Sequence, residues 1–346
     1  MTFSIYDFNL TDLENELITL GEKKYRAKQI FSWLYEKRVR SFEEMSDLPK
    51  DLISKLNERY HFNDLELVTK QISKDGTTKF LYRLKDGHLI ETVLMFFDYG
   101  TSVCITSQVG CNMACKFCAS GLLKKKRNLS VGEMVNQILS TQIYLDPEKI
   151  RLANLVVMGI GEPFDNFDNL IKALGIINHP KSLAIGARHM TISTCGVVPK
   201  IYDFANLTLQ YNLAISLHAP NDTLRSEIMP INKLYNIDKL FEALDYYSRK
   251  SNRRITLEYL LLKGVNDGDK EAYELINLVK NKNAYVNLIP YNEVKENIYK
   301  STDEKRALAF YDILKKAGIG VTLRAKKGDD IDAACGQLRA NNERKD

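Results

Sequence analysis

The chain has 346 residues, of which 49 are Lys or Arg and 44 are Asp or Glu, so its formal charge is +5. Hydrophobic residues make up 45% and charged residues 27%, which excludes a disordered chain, a collagen-like fibre and a disulfide-rich mini-protein. No apolar run approaches the ~20 residues of a membrane-spanning helix, and the acidic, polar N-terminus does not resemble a secretory signal. We therefore expect a cytoplasmic protein that is not attached to a membrane.

Residues 1–62 are predicted to form a helical accessory domain. Apolar residues recur at helical spacing from Ala27 onward, and Thr11 with Glu14 has the pattern of a capping box. Pro49 is typical of the start of another helix.

Residues 63–100 are predicted to form a small β extension. Its segments are rich in β-branched and aromatic residues and are separated by Asp-Gly turns. The predicted strands are 65–72, 79–84 and 88–97.

From residue 101 to residue 346, predicted strands alternate with predicted helices, which indicates a parallel sheet with crossover helices. The predicted strands are 103–108, 154–158, 189–194, 213–217, 255–260, 285–290 and 320–324. The predicted helices include 131–144, which follows a Ser130/Glu133 capping box, and 167–178, 237–251, 269–280 and 302–317. About six such units predict an α/β protein with an incomplete (β/α)6 barrel, since a full eight-unit barrel needs more chain.

Three cysteines, Cys111, Cys115 and Cys118, lie close together directly after the first predicted barrel strand. Active-site ligands are expected at this end of barrel strands. A structural zinc site usually has four protein ligands, and no fourth ligand follows nearby. Three thiolates suit a 4Fe–4S cluster that keeps one iron open, with Phe117 as an apolar cover. The spacing therefore favours a catalytic cluster over a structural cluster or a zinc site.

Four further side chains each allow two interpretations from the sequence alone. Glu91, in an apolar strand, is either a surface residue or a buried general base. His218 is either a hydrogen-bonded core histidine or a ligand-binding residue. Cys104 and Cys335 are either core thiols or functional ones, and small neighbours leave room for another molecule beside Cys335.

Polar and small residues also follow several of the predicted strands. Gly161 and Glu162 form either a tight turn or a place where a ligand approaches the backbone closely beside a carboxylate that accepts hydrogen bonds. Ser193, Ser216 and Asn292 lie at or near strand ends, where polar side chains contact ligands in βα barrels.

The pattern Cys111-x3-Cys115-x-Phe117-Cys118 resembles the motif of the radical S-adenosylmethionine (SAM) superfamily. Nearly the whole chain further resembles one family within it, the RlmN-type dual-specificity RNA methyltransferases. The segments that carry this resemblance are 107–111, 158–163, 193–199, 213–220, 229–232, 288–292 and 328–338.

The resemblance implies an enzyme with a 4Fe–4S cluster on Cys111, Cys115 and Cys118 that uses two SAM molecules per turnover. It implies SAM contacts at the ends of several barrel strands. These SAM-binding residues are Gly161, Glu162, Ser193, Ser216, Leu217, His218 and Asn292.

The resemblance also implies a route to carbon 2 of adenine, an electrophilic carbon that cannot attack the SAM methyl group directly. Cys335 takes a methyl group from one SAM, and a radical made from the second SAM removes a hydrogen from it. The carbon radical adds to the adenine, and Glu91 accepts the ring proton. Cys104 then resolves the covalent RNA adduct and forms a transient disulfide with Cys335.

The partners that the resemblance implies are 23S rRNA at the peptidyl-transferase centre, tRNAs methylated 3′ of the anticodon, and a flavodoxin- or ferredoxin-type electron donor. A monomer is expected. The basic run at 124–127 is either a phosphate contact or a solvated surface. Two other functions remain open: a sister group that methylates adenine carbon 8 of rRNA, and, in a different class, a non-catalytic metal-stabilised RNA-binding protein.

Overall fold

The structure is a computed structural model that describes residues 2–62, 65–122, 124–294, 297–324, 327–328, 330–332 and 336–343. Cys335 therefore lies outside the described residues. In the part of the chain that is described, no helix is long and apolar enough to cross a membrane.

The N-terminal residues form the predicted helical region. Its elements are β1 (Phe3–Ser4), α1 (Leu10–Thr19), α2 (Tyr25–Tyr35), α3 (Lys50–Arg59) and β2 (Tyr60–His61), and β1 pairs with β2 in parallel. Helix α3 begins directly after Pro49, as predicted. The capping box predicted at Thr11 is wrong: the side chain of Asn9 accepts from the Asp12 N–H at 2.8 Å, so α1 has already begun when the chain reaches Thr11.

The remaining strands build one ten-stranded sheet and a separate two-stranded ribbon. The strands are β3 (Leu65–Ile72), β4 (Thr78–Leu84), β5 (Leu89–Phe97), β6 (Gly100–Cys104), β7 (Gln108–Val109), β8 (Arg127–Asn128), β9 (Leu152–Val157), β10 (Met190–Thr194), β11 (Asn212–Ser216), β12 (Ile255–Leu261), β13 (Ala284–Pro290) and β14 (Val321–Leu323). The large sheet has the order β14-β13-β12-β11-β10-β9-β6-β5-β4-β3, and β7 pairs with β8. Pairing is parallel from β6 to β14 and antiparallel from β3 to β6, so the β extension continues the barrel sheet.

Crossover helices cover the parallel strands, which confirms the α/β class with an incomplete barrel. The helices are α4 (Val131–Leu145), α5 (Phe167–Asn178), α6 (Val198–Ala205), α7 (Asp222–Ile228), α8 (Ile237–Ser251), α9 (Asp269–Val279), α10 (Glu304–Lys316) and α11 (Gln337–Glu343). The Ser130/Glu133 capping box is present at α4. One buried apolar cluster extends from α1 and α2 through the sheet to α10.

After β14, at one edge of the large sheet, the chain returns to β3 at the opposite edge. The side chain of Gln71 on β3 donates to Asp332 and accepts from its backbone N–H, both at 3.0 Å. Asp330 accepts from Ser73, in the turn after β3. The C-terminal segment thus connects the last parallel strand with the antiparallel strands.

Candidate active site

A cavity of about 380 Å³ lies at the carboxyl ends of the parallel strands. It brings together residues that are far apart in the sequence, and most of the predicted site residues line it. These are Cys104, Cys111, Cys115, Cys118, Gly161, Glu162, Ser193, Ser216, His218 and Asn292.

The three clustered cysteines lie on the loop that follows β7, and their side chains are half-buried. The loop is fixed by the Lys116 N–H, which donates to the Ile228 carbonyl at 3.0 Å. Burial, together with the neighbouring thiols, raises the pKa of Cys111 to about 11 and raises the pKa of Cys115 further. Without a metal the thiols of Cys111 and Cys115 are protonated at neutral pH, so iron binding to them must displace protons.

The donors fit an iron–sulfur cluster. Three soft sulfur ligands share one cavity with apolar side chains, among them Phe117, Met229 and Tyr291. Within the described residues, no group of three His, Cys, Asp or Glu side chains could hold a single metal ion. The thiolates of a four-iron cluster each bind a different iron, so they need not converge on one point.

Two glycines and a buried carboxylate follow the strand β9. A Cβ at Gly159 would lie 2.6 Å from the Ile105 oxygen, and Gly161 has φ +109°, so both positions require glycine. The carboxylate of Glu162 accepts from the backbone N–H groups of Phe164 at 3.0 Å and Cys195 at 2.8 Å. Burial raises the pKa of Glu162, and these hydrogen bonds oppose the rise.

His218 is both a core histidine and a cavity residue. Its backbone has φ +56°, and its Nδ1 accepts from the Leu260 N–H at 3.0 Å, which leaves the ring proton on Nε2. The ring meets Phe117 edge to face, with centroids 5.0 Å apart. Burial and the charge of Arg225 lower the pKa of His218 to about 3, so the ring is neutral. The neighbouring Leu217 is buried but does not line the cavity.

Glu91 is buried, so the surface interpretation is wrong. Its carboxylate does not line the cavity; it accepts from the backbone N–H groups of Gly336 and Arg339, each at 2.7 Å. Lys79 forms a buried ion pair with it at 3.1 Å and donates to the Asp332 carbonyl. Glu91 and Lys79 therefore hold the described residues on either side of 333–335.

The sequence did not indicate three other buried polar side chains near the cavity: Lys79, Arg225 and Glu258. Burial raises the pKa of Glu258, which accepts from Asn287 at 2.8 Å. Glu258 interrupts the largely apolar strand β12, which is the signal that could have marked it. Lys79 lies in a strand that also contains Thr78 and Arg83, so the strand sequence does not mark it. For Arg225, in a short polar helix, the sequence gives no such signal.

The basic run at 124–127, which follows the cysteine loop, contains two residues in ion pairs and two exposed lysines. Lys125 pairs with Asp165 at 2.6 Å, and Arg127 pairs with both Asp86 and Glu133. Only Lys124 and Lys126 of this run are exposed.

Comparisons with known proteins agree with this geometry. Residues 105–276 match the radical SAM superfamily, and residues 3–61 match the N-terminal domain of ribosomal RNA large subunit methyltransferases. A solved radical SAM methyltransferase from Sphaerobacter thermophilus superposes with a TM-score of 0.94 at 41% identity, covering 97% of this chain and 98% of that one. The barrel and the cysteine loop therefore define a radical SAM enzyme.

Two curated relatives are similar along nearly their whole length. The dual-specificity RNA methyltransferase RlmN of Listeria monocytogenes is 57% identical, covering 97% of this chain and 93% of its own. That of Spiroplasma citri is 54% identical, covering 98% of both chains. The chain belongs to the RlmN family of radical SAM methyltransferases, which excludes the non-catalytic interpretation.

Proposed function

We propose that this chain methylates carbon 2 of adenine in RNA, both in 23S rRNA at the peptidyl-transferase centre and in tRNAs at the adenine 3′ of the anticodon. The observation that carries the proposal is the cavity shared by the three clustered cysteines, Cys104 and the strand-end residues. The N-terminal match and the names of the relatives support an RNA substrate.

When bound, a 4Fe–4S cluster with SAM supplies the one-electron chemistry that an electrophilic carbon requires. Cys111, Cys115 and Cys118 would hold the cluster, and Glu162 would accept hydrogen bonds from the ammonium group of SAM. The other proposed SAM contacts are Gly161, Ser193, Ser216, Leu217, His218 and Asn292. Two SAM molecules per turnover belong to this proposal, one for the methyl group and one for the radical.

Three residues outside the cluster loop carry the transfer in this proposal. The Cys335 thiolate would take the methyl group of SAM, with S-adenosylhomocysteine as the leaving group, and Glu91 would accept the proton that leaves the adenine ring. The Cys104 thiolate would then attack the Cys335 sulfur, so that a disulfide forms as the bond from this sulfur to the RNA methylene carbon breaks. The electron pair of the broken bond would go to the nucleoside, whose methylene carbon takes up a proton and becomes the methyl group of the released RNA. The position of Cys104 supports the resolving role, because its side chain is buried and lines the cavity. A flavodoxin- or ferredoxin-type donor, a monomeric state and a cytoplasmic location complete the proposal.

The test is an anaerobic assay of the reconstituted protein with methyl-labelled SAM and protein-free 23S rRNA, repeated with tRNA. Mass spectrometry of the digested RNA should find 2-methyladenosine. Finding 8-methyladenosine instead would assign the chain to the sister chemistry, and labelled RNA with neither nucleoside would contradict both.

Cysteine variants separate the proposed roles. Cys335→Ala should abolish methyl transfer, and Cys104→Ala should accumulate protein covalently bound to RNA. A Cys104→Ala protein that turns over without a covalent adduct would contradict the resolving role. Cys195→Ala is the matched control, because Cys195 lines the cavity but carries no transfer step here.

A further inference from the structure

Arg225 on α7 is completely buried, with an exposed fraction of 0%. Its guanidinium joins the ends of β10 and β11, because it donates to the carbonyls of Cys195 at 2.7 Å, Ser216 at 3.2 Å and Leu217 at 3.2 Å. It also donates to the Asn232 side-chain oxygen at 2.9 Å. All four acceptors are uncharged.

Within the described residues, no carboxylate forms an ion pair with this guanidinium. The exposed Asp222 forms no hydrogen bond with the guanidinium among the described residues, but it is linked to it by Asn232, whose amide donates to Asp222 at 2.8 Å. A buried charge is strongly unfavourable unless an opposite charge lies near it. A negative charge bound in the neighbouring cavity would therefore stabilise the buried Arg225.

The cysteine loop packs against the same helix. Cys115, Cys118 and Cys195 belong to one apolar cluster with Ile228 and Met229, the residues that end α7 and follow it. The Lys116 N–H of this loop donates to the Ile228 carbonyl at 3.0 Å, so the loop is fixed to the helix that carries Arg225.

We propose that Arg225 is the buried positive charge that favours the reduced state of the cluster held by Cys111, Cys115 and Cys118. This inference rests on the proposed function, which assigns the cluster to those cysteines. Reduction adds one electron and forms or breaks no bond, so the thiolate-bound cluster becomes more negative by one charge. A nearby cation in a medium of low dielectric constant stabilises the more negative form. Arg225 is thus a positioning residue that acts through the cluster.

The test compares Arg225→Gln, which removes the charge, with Arg225→Lys, which keeps the charge and loses the forked hydrogen bonds. Redox titration with dithionite, followed by electron paramagnetic resonance on the reconstituted protein without SAM, measures the potential. For Arg225→Gln we expect the ratio of reduced to oxidised cluster at a fixed potential to fall about tenfold, equivalent to about 59 mV for one electron. Arg225→Lys should keep a ratio close to that of the native protein. Equal shifts in the two variants, or no shift in Arg225→Gln, would overturn the inference.

A second variant tests the same field without disturbing the buried hydrogen bonds. Asp222→Asn removes the negative charge that Asn232 links to Arg225, and it keeps the oxygen that accepts from Asn232 and Ile237. The reduced fraction should therefore rise, opposite in sign to Arg225→Gln. An unchanged or lower reduced fraction contradicts the inference.

Iron content separates this inference from the proposed function on which it rests. A native chain that binds no cluster, or binds it equally after Cys115→Ala, contradicts the proposed function. A native chain with about four irons and the same potential in all three variants contradicts only the role of Arg225.

Discussion

His218 combines a strained backbone with a neutral, buried ring, and this combination makes the stability of the chain depend on pH. An unfolded histidine has a pKa of about 6.5, whereas the folded value for His218 is about 3. Between these values the unfolded chain binds the extra proton, so this group's contribution is complete above pH ~6.5 and is lost as the pH falls towards ~3. At pH 5.5 the loss is about 1.4 kcal/mol.

We expect the urea midpoint of the native chain to fall between pH 7.5 and pH 5.5, and His218→Asn to lose part of that dependence. Asparagine keeps an oxygen that can accept from the Leu260 N–H, so the variant removes the titrating ring, together with its contact with Phe117, and keeps the hydrogen bond. His189→Asn, at an exposed histidine, is the matched control and should keep the native pH dependence. Equal slopes in the native and His218→Asn chains would refute the prediction.

Site residues could be predicted from the local sequence where several of them lie close together in one segment. The cysteine loop and the Gly161–Glu162 turn are such segments, and the cavity contains them. Lys79 could not be predicted, because alternation along its strand places it on a face that a segment 253 residues later covers. The same limit applies to Arg225, whose acceptors belong to three separate segments of the chain.

Strands β4 and β5 hold the C-terminal segment by one buried ion pair. Lys79 and Glu91 are 1% and 4% exposed, and they bind the backbone before and after residues 333–335. Removing one partner of a buried pair leaves the other charge uncompensated, which costs about 3–5 kcal/mol. The pair thus makes the attachment of the segment that contains Cys335 depend on two charges.

We expect Lys79→Met and Glu91→Gln each to lower the free energy of unfolding by about 3–5 kcal/mol. The double variant should lose less than the sum, because it leaves no buried charge unpaired. Urea unfolding measures these values, and hydrogen exchange should increase first in 336–343. Additive losses, or exchange that increases equally throughout the sheet, would show that the pair does not specifically hold this segment.

Long elements with a clear apolar period were predicted almost to the residue. Helices α5 and α8 have the predicted bounds, and so does strand β3. The strand predicted at 103–108 ends at Cys104 instead. Beyond it, the backbone N–H groups of Ser107 and Gln108 both donate to the Ile160 carbonyl, so the chain stays beside the segment that follows β9 while regular pairing stops. Helices α6 and α7 were missed because they are too short, with 8 and 7 residues, to show a period.

The N-terminal helices dock on the barrel through polar contacts that no local pattern could predict. Arg38 binds Asp146 at the end of α4 with two hydrogen bonds, at 2.7 and 3.1 Å. Asp7 accepts from the Gly132 N–H at 2.7 Å, near the start of α4. The helical region therefore lies along α4, the helix that follows directly after the basic run and β8.

Of the four residues in the basic run, only Lys124 and Lys126 remain as candidates for RNA phosphate contacts. Lys125 and Arg127 are occupied by carboxylates, whereas these two lysines are exposed beside the cysteine loop. Phosphate contacts release counterions, so the association constant for RNA falls as salt rises. Each lost contact makes the negative slope of its logarithm against log salt shallower by about 0.7–0.9. The double variant Lys124→Glu/Lys126→Glu should therefore bind RNA more weakly and with a smaller salt dependence.

Lys250→Glu/Lys280→Glu is the matched control. It makes the same charge change at exposed lysines that end α8 and follow α9, before β12 and β13 begin and so away from the cavity. Filter binding of a 23S rRNA fragment over a range of salt concentrations measures both slopes. If net charge alone attracted the RNA, the two double variants would lose affinity and slope equally. A selective loss of affinity and slope in Lys124→Glu/Lys126→Glu requires RNA phosphates beside the cysteine loop. An equal loss in both double variants would show that the basic run is a solvated surface and not a phosphate contact.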